Sequence, residues 1–395
     1  MDRLKTTIAH VDRLVGFQTV SSRSNLDLID YVDELLAGHG IGARRISDAS
    51  GKKASLLATI GPPDKAGIVL SAHTDVVPAE EPNWTSPPFV ATTRANRILG
   101  RGTCDMKGFI ATCLSHLELF KRTATRTPVH LAFSYDEEVG CRGAPDLVKA
   151  AAALPMPPAL CLVGEPTSLR VVSAHKGKVA RRIRVTGRTG HSAMPNRAAN
   201  AVYAAARIVT RLEDMAQELS RLVYDGIPFD PPCNTLHVGS LHGGTALNLV
   251  PDQAVIEFEV RSVPDADVAG LLKRIDMLID EQRLSLERAA PEADIVVEDI
   301  SAYPGLAPLS GRHAVNTVAE LAGVAPGTET VSFGTEAGLY SEAQIPTLVC
   351  GPGDMARAHK ADEWIGLDEL DGASRMMERL ARKLDRPIVE WMGPP

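Results

Sequence analysis

Aromatic side chains are scarce in this chain, at 4% of residues, and basic residues do not outnumber acidic ones, so the formal net charge is −7. With few rings for bases to stack on and no positive excess to meet phosphates, nucleic acid is not an expected partner. No stretch approaches the roughly 18 consecutive apolar residues that a spanning helix needs. The first residues, Met1-Asp-Arg-Leu-Lys-Thr6, read as the start of an amphipathic helix rather than a basic-then-apolar leader. No membrane association and a cytoplasmic location are therefore expected. The six cysteines (104, 113, 141, 161, 233 and 350) are scattered without a Cys-x-x-Cys pair, which argues against a zinc ribbon or a disulfide framework and suits a reducing compartment.

What is present is a chain of 395 residues, 44% hydrophobic and 23% charged. That is long for one core, so two domains, or one carrying an insertion, are expected. The apolar run Gly67 to Ala72 reads as a buried strand that ends in His73-Thr-Asp75. Two residues apart in extended chain, His73 and Asp75 leave the same face. An imidazole and a carboxylate projected together suit a metal site, with the Asp either ligating or holding the far nitrogen of the ring. A lone His at a strand end is more often a satisfied structural residue, so the case depends on what converges with it.

Four other places repeat the theme. Gly100-Arg-Gly-Thr-Cys-Asp-Met-Lys-Gly108 sets Asp105 at the mouth of a helix expected from Met106 to Lys121, where it is either an N-cap or a carboxylate aimed at a cation. The strand Val129 to Tyr135 ends in Asp136-Glu-Glu138, three acids that repel one another unless they form a solvated turn or surround something positive. The strand Ala159 to Val163 runs into Glu165, and the strand Ile345 to Cys350 leads to a loop carrying His359. Sites in open α/β sheets assemble beyond the carboxyl ends of the strands. Two His and several carboxylates suit a pair of cations such as zinc.

Residues 178–300 have a different texture. Strands at Lys178 to Thr186, Thr235 to Leu241, Ala254 to Arg261 and Ala293 to Glu298 alternate with helices at Ala198 to Leu222 and Asp265 to Gln282. The order βαββαβ is that of a ferredoxin-like unit. The expected architecture is therefore an α/β catalytic domain formed by 1–177 and 301–395, interrupted by an inserted domain at 178–300.

Taken in order, Ser-Ala-His73-Thr-Asp-Val-Val-Pro, Gly-Arg-Gly-Thr-Cys-Asp105-Met-Lys-Gly, Asp-Glu137-Glu-Val-Gly, Gly-Glu165-Pro-Thr, Gly190-His-Ser-Ala-Met-Pro195 and the late His359 resemble one known family across essentially the whole chain. It is the family of acetylornithine deacetylase, succinyl-diaminopimelate desuccinylase, aminoacylase and glutamate carboxypeptidase. The resemblance implies a mixed-sheet, di-zinc aminopeptidase-like catalytic domain with an inserted dimerisation domain, hence a homodimer. It implies two Zn2+ per subunit, with Co2+ a possible substitute. His73, Asp105 and Glu165 would hold one ion, and Glu138 and His359 the second, with Asp105 shared. Asp75 would orient His73 and Glu137 would be the general base. His191 would support the oxyanion from the partner subunit, and Asn248 and Arg261 would meet the substrate's polar groups and carboxylate.

The stretch Ser332-Phe-Gly-Thr-Glu-Ala-Gly338 resembles that of the acetylornithine deacetylases, as does Cys104 beside Asp105. Glu336 would then face the ornithine ammonium, and the reaction would be release of acetate in arginine biosynthesis. Succinyl-diaminopimelate, or another N-acyl amino acid or dipeptide, is the nearest rival substrate. A non-catalytic metal-dependent binding module and a two-metal phosphoesterase are rivals of other classes; the adjacent Glu137 and Glu138 speak against the first, and the lack of an Arg cluster near the ligands against the second.

Overall fold

The computed structural model describes residues 3–393 apart from 81, 225, 227 and 328. Its strands in chain order are β1 (Ala43–Ser47), β2 (Ala54–Ile60), β3 (Ile68–His73), β4 (Thr92–Arg94), β5 (Arg97–Leu99) and β6 (Val129–Ser134). There follow β7 (Leu160–Pro166), β8 (Val172–His175), β9 (Gly177–Thr186), β10 (Gly190–His191), β11 (Thr235–Gly243) and β12 (Leu249–Val250). The last are β13 (Gln253–Ser262), β14 (Asp294–Tyr303), β15 (Glu329–Val331), β16 (Thr347–Gly351) and β17 (Trp364–Gly366). By internal contacts the chain divides into one unit of Met1–Ala174, Leu306–Thr330 and Thr335–Pro395, and a second of His175–Gly305 and Val331–Gly334.

The first unit is organised by an eight-stranded mixed sheet in the order β1-β2-β6-β3-β7-β16-β8-β15. Its four central strands, β6, β3, β7 and β16, are parallel to one another. Every residue of these four is buried, which is why they read as continuous apolar runs rather than alternating ones. Helices Arg3–Gly16, Gly108–Ser115 and Leu367–Ala381 contribute Val11, Leu14, Ile110, Leu114, Met377 and Leu380 to the core against this sheet. Glycine allows two of the parallel strands to close up near their ends. A Cβ on Gly164 would lie 2.2 Å from the Phe109 ring, and one on Gly351 would lie 2.0 Å from the Gly164 carbonyl oxygen.

The helix expected over Met106 to Lys121 is not continuous. A tight turn, Thr103–Lys107, precedes helices Gly108–Ser115 and Leu117–Thr123, which break at His116. Buried Nδ1 of His116 bonds the Thr112 carbonyl at 2.8 Å. That carbonyl is the one a continuing helix would offer to the residue-116 N–H, which turns instead to Cys113.

The second unit is a four-stranded antiparallel sheet, β11-β13-β9-β14, with helices Ala201–Ser220 and Val268–Ala289. Its chain order is the ferredoxin-like βαββαβ. Along β13 burial alternates, so Ala254, Ile256, Phe258 and Val260 join Ile183 and Val185 of β9 in a second hydrophobic core. Asn200 and Asp267 cap the two helices, accepting from the Tyr203 and Gly270 N–H groups at 3.0 and 2.8 Å. Among the described residues no helix is long and apolar enough to cross a membrane.

Candidate metal centre

Parallel strands bring their carboxyl ends to one edge of the sheet, and the acids and imidazoles singled out in the sequence sit there. His73 closes β3, and its register partner on β6 is Ser134, three residues before Glu137. Glu165 lies within β7, one residue from its end, and His359 follows β16. Asp105 stands on the turn Thr103–Lys107 with extended backbone, φ −121° and ψ 93°. The residue capping the next helix is Lys107, so Asp105 is not the N-cap that its position allowed.

Asp105 is the centre of the cluster. Its Oδ1 is 3.0 Å from His73 Nε2, and its Oδ2 is 3.3 Å from His359 Nε2. His73 Nε2 also lies 3.8 Å from Glu165 Oε1, and His359 Nε2 lies 3.0 Å from Glu138 Oε2. Two groups of three have donor atoms close enough to hold an ion, His73, Glu137 and Glu165 and then His73, Asp105 and Glu138, with His359 beside Asp105 and Glu138. Glu137 offers an oxygen within 4.8 Å of donors on His73 and Glu165. All of these lie in the first unit.

The electrostatics of the cluster are those of acids crowded together beside two imidazoles. Burial, with Glu138 and other acids nearby, pushes the Glu137 carboxyl up to about 8 despite His73. Burial and Asp105 raise Glu138 to about 7, and the same two causes raise Glu165 well above the usual range. Hydrogen bonds to Asp105 and Glu138 raise His359 to about 10. Burial opposes charge on His73 and on Asp105, but their contacts win: His73 is raised and Asp105 lowered. As a donor set these acids and imidazoles suit divalent cations, whose binding displaces protons from such ligands.

Asp75 acts differently from expectation. The His73 Nδ1–H donates to the backbone carbonyl of Asp75 at 2.9 Å, while the carboxylate stays 3.6 Å away. The Asp75 carboxylate accepts instead from the N–H groups of Glu137 at 3.0 Å and Glu138 at 3.3 Å, and from the Ser21 hydroxyl at 2.7 Å. It fixes the acidic turn, and its main chain fixes the imidazole, leaving Nε2 as the nitrogen free to ligate.

Glu336 requires a correction. It was expected to face substrate, but it is 1% exposed and its oxygens accept from the Ser71 and Ser134 hydroxyls, each at 2.6 Å. Ser71 Oγ also lies 2.9 Å from Tyr340 Oη, whose O–H donates to it. A carboxylate with both oxygens engaged among buried hydroxyls is not available to an ammonium ion. Three further expected residues belong to the second unit. His191 pairs with Leu249 across β10 and β12, its Nδ1 accepting from the Ala193 N–H at 3.1 Å. Asn248 is exposed, and its carbonyl accepts from Ser192 N–H at 3.1 Å. Arg261 on β13 is held by Glu259 at 3.0 Å and by Tyr303 Oη at 3.0 Å.

Sequence reasoning did not single out Ser21, Cys141, Arg101 or Glu363. Cys141, four residues after Glu137 and buried, donates its thiol to Glu137 Oε1 at 3.5 Å. Only that four-residue spacing could have marked it. Arg101 and Glu363 carry no mark, being far apart in the chain.

Two imidazoles and several carboxylates, with His73, Asp105 and Glu165 buried and His359 exposed, make the strand ends of this mixed sheet a candidate metal site of a hydrolase. The comparisons are specific. Residues 69–383 match the family described as Peptidase family M20/M25/M40. An acetylornithine deacetylase of Myxococcus xanthus is 34% identical over 383 residues, covering 96% of this chain and 97% of that protein. Among solved structures, the di-peptidase Dug1p of Saccharomyces cerevisiae superposes with a TM-score of 0.75 at 15% identity, covering 97% of both chains. The YXEP protein of Bacillus subtilis, described as a dinuclear metal binding peptidase, superposes with a TM-score of 0.62 at 16% identity, covering 98% of this chain and 99% of that one. The chain belongs to the M20/M25/M40 peptidase family and is a hydrolase of its amidohydrolase type.

Proposed function

We propose that this enzyme hydrolyses the amide of N2-acetyl-L-ornithine, giving ornithine and acetate, with two divalent ions, zinc foremost, at the Asp105 cluster. The observation that carries the site is Asp105 itself, which turns one oxygen to each imidazole. His73 and Glu165 would complete the shell of one ion, and Glu138 and His359 that of the other. Bound there, the ions would polarise the acyl carbonyl and bring the acidity of a water toward neutrality.

Glu137 has the place of the general base. Its neighbour Glu138 is taken by His359, whereas Glu137 meets the Cys141 thiol at Oε1 and could offer Oε2 to a water. Glu137 takes the water's proton as the amide carbon is attacked, and delivers it to the departing amine. His191 is proposed to donate to the oxyanion from the partner subunit of a homodimer built through the second unit. Asn248 and Arg261 are proposed to meet the substrate, Arg261 releasing Glu259 to take the α-carboxylate as a bidentate pair.

The substrate assignment rests on the relative that is 34% identical over nearly the full length, because burial of Glu336 removes the charge argument from that side chain. A cytoplasmic place in arginine biosynthesis follows from the same substrate. Turnover of N2-acetyl-L-ornithine should exceed that of N-succinyl-LL-diaminopimelate with ion-loaded enzyme; the reverse order would transfer the assignment to the desuccinylases. Glu137→Gln should abolish turnover while ion content stays at the wild-type level, and retained turnover would point to a different base.

A further inference from the structure

Next to the cluster lies an ion pair that the chemistry above does not use. Arg101 and Glu363 are each 1% exposed and meet at 2.9 Å between Nη1 and Oε2. Removing two charges from water is costly, and such a pair seldom outdoes well-packed apolar residues as a source of stability. Its partners suggest another reason for it. Glu363 Oε1 accepts two backbone N–H groups, from Cys104 at 2.9 Å and from Asp105 at 3.1 Å. Arg101 donates from Nη2 to the Pro78 carbonyl at 2.9 Å and from Nη1 to the Lys360 carbonyl at 3.2 Å. The Gly100 N–H donates to the Glu363 carbonyl at 2.9 Å.

One pair therefore ties together three segments beside the short β5–β17 ladder: the chain leaving His73 and Asp75 toward Pro78, the turn that presents Asp105, and the loop that runs from His359 to Glu363. We propose that Arg101 and Glu363 are positioning residues for the two-ion site, a clamp that sets the backbone of Asp105 relative to the loop of His359. The need is geometric. Asp105 turns one oxygen to each imidazole, so a small rotation of its main chain disturbs both contacts. The guanidinium is suited to the task because its planar fork reaches three acceptors in fixed directions, which an ammonium on a flexible stem does not.

This inference rests on the two-ion reading of the site, and its test reads ion affinity apart from turnover. Zn2+ affinity is measured by competition with a chromophoric chelator for the wild type, Arg101→Lys, Glu363→Gln and the apolar double variant Arg101→Met/Glu363→Leu, each checked for folding by circular dichroism. Folded variants should bind Zn2+ ~10–100-fold more weakly, as for other groups that orient metal ligands. Their kcat should fall while KM for N2-acetyl-L-ornithine at saturating ion stays at the wild-type value. Wild-type affinity in any folded variant overturns the clamp. Failure of all three variants to fold also overturns it, since the pair would then be a requirement of the fold. A wild type that binds two ions yet ignores acetylornithine removes the substrate assignment and leaves the clamp standing; a wild type that binds none removes both.

Discussion

At the scale of single residues, the cluster is made of groups that are each poorly tolerated alone. Without ions, Glu137 is protonated in the fold and ionised in the unfolded chain between its ordinary 4.5 and about 8. The native state then holds the extra proton, so stability falls as pH rises through that window. Glu138, raised from 4.5 to about 7, acts in the same direction. The pairing of His359, raised from 6.5 to about 10, contributes fully below 6.5 and is lost as pH climbs through 10. Chelator-treated protein should accordingly melt at a lower temperature at pH 8 than at pH 6. Ion-loaded protein should show the opposite trend, because ion binding releases those protons; thermal melts at the two pH values check both. Glu336 gives a second residue-scale test. Glu336→Ala strands the Ser134 hydroxyl and one contact of Ser71, a loss of ~1–3 kcal/mol for buried unsatisfied groups. Denaturant unfolding should show it, with KM unchanged because the side chain does not meet substrate.

At the scale of elements, the site is a property of four parallel strands sharing one direction. Their ends were legible in the sequence because each buried strand spells a continuous apolar run, and a His or an acid directly after such a run has nothing apolar to face. Asp75 meets His73 Nδ1 through its carbonyl, with the carboxylate further off, a division that strand periodicity does not report because β3 stops at His73. Glu336 was misread because a short polar stretch containing one acid looks the same whether that acid faces solvent or lies under a sheet. The Arg101 and Glu363 contact spans 262 residues of sequence, and no periodicity reports a pairing at that range. Close packing of β7 against helix Gly108–Ser115 makes its own prediction. Gly164→Ala places a methyl group in the Phe109 ring and should cost ~1–3 kcal/mol as overpacking, read as a lower denaturation midpoint. Because Glu165 is the next residue, ion affinity should fall with it.

At the scale of the whole molecule, the two units have separate hydrophobic cores with no residue in common. Each core can melt on its own, so two-state behaviour is not expected of the full chain. Scanning calorimetry should resolve two transitions. Stripping ions should lower only the transition of the unit holding His73, Asp105 and His359, since a ligand stabilises the state that binds it. A single transition that moves as one would show that the cores are energetically fused.

The position of β16 in its sheet has a consequence for biosynthesis. It pairs with both β7 and β8, yet β7 ends at Pro166 and β8 begins at Val172, while β16 begins at Thr347. As the polypeptide leaves the ribosome, two strand edges emerge almost together and wait for a filler made nearly last. Unpaired edges invite pairing with foreign strands. A premature stop before Thr347 would therefore leave an adhesive slot at the middle of the molecule, and the truncated product would be insoluble rather than merely inactive.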